Sequence, residues 1–106
     1  MNNFTDMLSK AKEMQEQMKK TQELIKTIEV EGVSGGDLVK VTLTGDYELK
    51  SIKISEAAKK ESIEIINDLI IAAYNNAKQK LKKKSSEEIQ KVTGGINLPF
   101  DFKFPT

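Results

Sequence analysis

The chain has 106 residues, 38% of them hydrophobic and 31% charged, which suits one globular domain with a modest core and argues against disorder. It contains neither cysteine nor histidine, so disulfides, thiolate or imidazole metal sites, a Ser-His-Asp triad and a Cys-His dyad are excluded. No catalytic residue, metal or cofactor is expected, and the net charge of +1 does not by itself announce a nucleic-acid binder.

The first element expected is a long helix over residues 1–27. Phe4, Met7, Ala11, Met14, Met18, Thr21, Ile25 and Ile28 recur on alternating steps of three and four, the narrow seam of a coiled-coil-like helix. Asn3 or Thr5 is a candidate cap. Residues 28–54 then change to period two, which predicts three antiparallel strands. Ile28 and Val30 open the first, and Ser34-Gly35-Gly36-Asp37 breaks it. Val39, Val41 and Leu43 alternate with Lys40, Thr42 and Thr44 in the second. Gly45-Asp46 marks a tight turn, and Tyr47 to Ile54 forms the third. Its apolar phase slips between Leu49 and Ile52, which calls for a bulge near Lys50-Ser51.

Residues 55–93 read as a charged connection followed by a second long helix from about Lys60 to Val92, stopped by Gly94-Gly95. Its main face carries Ile63, Ile66, Ile70, Tyr74, Ala77, Leu81 and Val92, while Ile65, Leu69 and Ile71 make it apolar nearly all round between Ile63 and Tyr74. One three-stranded sheet cannot cover that surface, so a second copy of the chain is expected there. Ile63, Ile66, Leu69, Ile70, Ala73 and Tyr74 form the expected dimer-contact set. The tail, residues 94–106, holds Phe100, Phe102 and Phe104 between prolines. The fold class is therefore α/β (α+β): long helix, three-stranded antiparallel sheet, long helix, in a single domain. At about 1.5 Å per residue, both helices should overhang the sheet and pair as a projecting arm.

The charges on that arm are the main functional signal. All 17 basic residues are lysines. Lysine is a flexible point charge suited to phosphate, whereas arginine's planar fork is the usual reader of guanine. A DNA binder of this composition would favour the backbone over base edges, although an AT-rich genome also enriches lysine. Lys78, Lys80, Lys82, Lys83 and Lys84 cluster on the second helix, with no acidic residue between Asp68 and Glu87. Lys10, Lys12, Lys19 and Lys20 lie on the part of the first helix expected beside them. The same lysines would also suit a solvated helix end that complements the macrodipole. Ser34-Gly35-Gly36-Asp37 lacks the Gly-Lys-Ser/Thr ending of a P-loop and reads as a turn. Carboxylates show no metal-ligand spacing. No apolar run approaches the ~20 residues that span a bilayer. Met1-Asn2-Asn3-Phe4-Thr5-Asp6 lacks the blocks of a secretory leader, so a cytoplasmic location is expected.

With these segments in place, the chain resembles the YbaB/EbfC family of bacterial nucleoid-associated proteins. The resemblance is carried by Lys12-Glu13-Met14-Gln15-Glu16-Gln17-Met18, by Gly35-Gly36 with Leu38-Val39-Lys40-Val41, and by Gly45 and Ile52-Lys53-Ile54. It continues through Asn67-Asp68-Leu69-Ile70, Ala72-Ala73-Tyr74-Asn75-Asn76-Ala77, Thr93-Gly94-Gly95 and Leu98-Pro99. Ser55-Glu56 replaces the family's usual Asp-Pro, and Asn76 a frequent Asp. The resemblance implies a tweezer-like homodimer whose helical arms engage double-stranded DNA without catalysis, acting in nucleoid organisation and transcription regulation. It also implies a link to recombination or clamp-loader proteins. A protein–protein adaptor in recombination or replication, gripping its partner through the methionine seam and phenylalanine tail, is the alternative expectation.

Overall fold

A computed structural model describes residues 3–93. The elements in chain order are α1 (Asn3–Lys26), β1 (Glu29–Ser34), β2 (Val39–Thr44), β3 (Leu49–Ile54), α2 (Glu56–Lys59) and α3 (Ile63–Thr93). The α+β class expected from the periodicities is the one observed. The Gly94-Gly95 stop and the phenylalanine tail lie outside the described residues. Asn3 and Thr5 are both within α1, so neither stands outside it as the expected cap.

The strands form an antiparallel meander in the order β1-β2-β3. Val39, Val41 and Leu43 all point to one face and are completely buried, as alternation on a half-covered sheet requires. The third strand starts at Leu49 rather than Tyr47, because Tyr47 adopts a left-handed φ of 63° that no strand accommodates. Between the pairs Thr42–Ser51 and Leu43–Leu49, Lys50 is the unmatched residue. This is the bulge that the slip in apolar phase demands, and it returns Leu49 to the same face as Ile52 and Ile54.

The expected charged connection contains the short helix α2. Ser55 caps it by accepting a hydrogen bond from Ala58 N at 3.1 Å. The chain then breaks, and Ser62 restarts it as α3 by accepting from Ile65 N at 3.3 Å. The long helix therefore begins at Ile63, three residues after the expected Lys60. In both cases a serine hydroxyl competes locally for backbone donors, which apolar periodicity alone does not register.

α3 lies across β1 and β2 and runs antiparallel to β1. Ser34 Oγ donates to Leu69 O at 2.6 Å, and Lys80 Nζ donates to Glu31 O at 2.9 Å, which orders the two segments in opposite senses. Val30, Val39, Val41, Leu43, Ala58, Ala73, Ala77 and Leu81 make the core. Gly32 permits the approach: a Cβ there would overlap the backbone of α3 at Ala73 O and come within 2.6 Å of Ala77 Cβ. At the other end of the sheet, Gly45 leaves room for the last turn of α1, since a Cβ there would overlap Ile25 O.

The molecule measures 72 × 24 × 18 Å, far longer than its sheet. α1 packs on α3, yet Thr21 is its one buried residue. Met18 and Ile25 are half-buried, while Phe4, Met7 and Met14 on the same seam are 71%, 68% and 41% exposed. The seam is thus used only near the sheet. Residues after Lys80 in α3 continue past the sheet end at which α1 arrives, so the two helices form the arm.

Replacing Gly32 with Ala should force α3 off β1 and cost about 3 kcal/mol, at the upper range of overpacking. Urea unfolding checks this: a midpoint unchanged from wild type would mean that the contact is not limiting.

Candidate nucleic-acid interface

The nine candidate lysines fall into distinct environments. On α1, Lys12 and Lys19 are two helical turns apart and line one shallow groove with Gln15, Glu16, Met18 and Gln22. Lys10 and Lys20 are exposed on other sides of α1. On α3, side chains advance by about 100° per residue, so the lysines from 78 to 84 ring the helix instead of sharing a face. Lys82, Lys83 and Lys84 are exposed, and Lys78 is half-buried. Among the described residues, the ion pairs use Lys50, Lys59 and Lys91, so none of the nine is engaged in one.

Lys80 differs from its neighbours. Its ammonium donates to Glu31 O, and four residues earlier Asn76 Oδ1 accepts from Val33 N at 3.0 Å. Glu31 and Val33 present these groups on the outer side of β1, the edge strand. The two α3 side chains therefore satisfy backbone groups that would otherwise invite pairing with another strand. Lys80 is partly committed to the fold, and Asn76 is a structural residue to which no sequence pattern assigned a role.

Lys78 and Lys82 instead converge on a cleft of 380 Å³ with Asp46, Tyr47 and Tyr74. The cleft sits where the turn between β2 and β3 meets α3. That turn is held by Thr44 O accepting from Tyr47 N at 2.9 Å, by Glu48 O accepting from Thr44 N at 2.9 Å, and by Thr44 Oγ1 facing Asp46 N and Glu48 N at 3.3 Å. The left-handed backbone of Tyr47 costs on the order of 1–3 kcal/mol, and such strain persists where the surroundings over-determine it. Here the ring packs against the core. Burial, and secondarily Tyr74, push the Tyr47 phenol above its ordinary range. Neither tyrosine was singled out for a ligand from sequence. Their shared presence in one cleft depends on a turn geometry that no motif announces.

The dimer-contact set divides as well. Ala73 is fully buried against Gly32 in the chain's own core and offers no surface to a second copy, which corrects its place in that set. Leu69, Ile70 and Tyr74 are half-buried against the same core, Ile66 is half-buried, and Ile63 is 69% exposed. Ile65 and Ile71 are exposed on other sides of α3. Leu49 and Ile52 on β3 are exposed too, because α3 covers β1 and β2 but leaves this third strand open. Among the described residues, no group of acidic side chains could hold a metal ion, and no helix is long and apolar enough to cross a membrane.

Exchanging Asn76 for Ala would orphan the Val33 N–H and cost about 1–3 kcal/mol, whereas Asp, which also accepts, should keep most of that stability. Hydrogen exchange at the Val33 amide reads the bond directly. Equal protection in the wild type and the Ala variant would rule it out.

Residues 1–96 match the YbaB/EbfC DNA-binding family. Over 106 aligned residues the chain is 44% identical to a nucleoid-associated protein of Brucella ovis, covering 99% of both chains. It is 41% identical to one of Bartonella bacilliformis, covering 99% of this chain and 98% of the relative. The fold is shared with the crystal structure of an uncharacterized protein from Helicobacter pylori, with a TM-score of 0.70 at 19% identity, over 86% of this chain and 97% of the other. The order of blocks seen in the sequence, the helix–sheet–helix fold and these matches agree: the chain belongs to the YbaB/EbfC DNA-binding family.

Proposed function

We propose that this protein binds duplex DNA in the nucleoid as a homodimer, through lysines on its projecting helices, with little sequence preference and without catalysis. The observation that carries the reading is the arm: α3 extends beyond the sheet bearing Lys82, Lys83 and Lys84, exposed and outside any ion pair, in a stretch from 69 to 86 free of acidic residues. The nucleoid-associated relatives point to the same class of partner. Effects on gene expression would follow from occupancy of the chromosome.

Exposed ammonium groups attract a polyanion by counterion release, which depends on the number of phosphates neutralised and not on the bases. The absence of arginine removes the usual bidentate contact to guanine. Homodimerisation is supported by Ile63, Ile65, Ile71, Leu49 and Ile52, large apolar side chains left 41–69% exposed by the single chain. The exposed stripe of Phe4, Met7 and Met14 favours a second reading, an adaptor for recombination or clamp-loader proteins.

Two measurements test this. In a DNA titration across salt, log K should fall linearly with log salt, and replacing Lys82, Lys83 and Lys84 with Ala should flatten the slope by about 0.9 for each phosphate no longer neutralised. A wild-type affinity indifferent to salt excludes the electrostatic arm. Sedimentation should show a dimer that Ile71→Asp converts towards monomer. A wild type sedimenting as a monomer at all concentrations removes the dimer from the reading, and a protein partner captured without any DNA shift favours the adaptor.

A further inference from the structure

The arms account for attraction along a DNA backbone but not for a defined point of attachment. A second cleft lies at the neck, where the arm leaves the sheet. Lys78 and Lys82 are one turn apart on α3, so both ammonium groups reach the same volume. Neither is engaged in an ion pair. Tyr74 lies one turn before Lys78 on the same face of α3, and Tyr47 joins them from the strained turn. This combines two lysine side chains with two phenol hydroxyls around a cleft of 380 Å³.

We propose that the cleft bounded by Tyr47, Tyr74, Lys78 and Lys82 seats a backbone phosphate of duplex DNA. The proposal rests on the DNA-binding reading and adds to it a specific anchoring point at the neck. The lysines supply charge, and the tyrosine hydroxyls donate to the phosphate oxygens and orient it. A phenol is a neutral donor at physiological pH, so each hydroxyl donates without adding a negative charge of its own. Asp46 also lines the cleft, and its carboxylate opposes an anion there. That carboxylate gives the proposal a gain-of-function test that a purely distal arm contact lacks.

The two classes of donor leave different signatures. Loss of a lysine removes counterion release as well as affinity, whereas loss of a phenol hydroxyl removes affinity alone. The chain has two tyrosines and no tryptophan, and both tyrosines line this cleft, so tyrosine-selective NMR reports on the cleft alone.

The experiment titrates full-length, tyrosine-labelled protein with a random-sequence duplex and follows anisotropy of the same labelled duplex across salt. Both tyrosine ring signals should shift in step with the anisotropy. Tyr47→Phe and Tyr74→Phe should weaken binding about three-fold or more with an unchanged salt slope. Lys78→Gln and Lys82→Gln should each weaken binding and flatten the slope by about 0.9. Asp46→Asn should tighten binding more than Asp37→Asn, an equal change in charge at the opposite end of β2. A duplex that binds while both tyrosine signals stay still and both phenylalanine variants keep wild-type affinity would overturn the neck contact alone. A wild-type protein that leaves the duplex anisotropy unchanged even at low salt would overturn the DNA-binding reading, and the neck contact with it.

Discussion

The close approach of β1 to α3 is the contact on which the other positions depend. It requires a residue without a side chain at Gly32 and small ones at Ala73 and Ala77. With the helix this near, Val39, Val41 and Leu43 are sealed beneath it, and Asn76 and Lys80 reach the outer edge of β1. Bulkier residues at these points would lift α3 and expose both the core and the strand edge. Packing density and edge protection therefore come from the same few atoms.

Net charge gives a poor picture of this molecule. Sixteen acidic residues nearly cancel seventeen lysines, but the balance is an average over a body 72 Å long. At physiological salt a charge is screened within about 8 Å, so a ligand senses the local composition and not the sum. The stretch of α3 from 69 to 86 carries lysines and no carboxylate, and the nearest acidic groups on the arm are those of α1, such as Glu16 beside Lys12 and Lys19. The carboxylate of Asp46 acts at short range in the same way, in the one cleft that it lines.

Much of the architecture was legible in the sequence, because alternation and three-four spacing report burial directly. The slip between Leu49 and Ile52 even located the bulge at Lys50. What periodicity missed was polar and local: the serines at 55 and 62 that divide the last segment into α2 and α3, and the Asn76 amide on β1. The site was less legible. Sequence grouped five lysines on α3, but only three-dimensional placement separates Lys80, bonded to a strand carbonyl, from Lys78 and Lys82, which share a cleft with two tyrosines. Ala73 misled for a related reason. An apolar helix face shows that something covers it, but not whether the cover is the chain's own sheet or another molecule.

One property of α3 links the sheet to the arm mechanically. From Ile63 to Thr93 it contains neither glycine nor proline and runs as one helix from the Gly32 notch to the lysines. The azimuth of every arm residue is therefore set where the helix docks, through Ala73, Ala77 and Leu81. Inserting a single residue after Leu81 would leave the core packing in place and swing Lys82, Lys83 and Lys84 about 100° around the axis. The sheet thus serves as an indexing mount that fixes where each lysine stands around the arm.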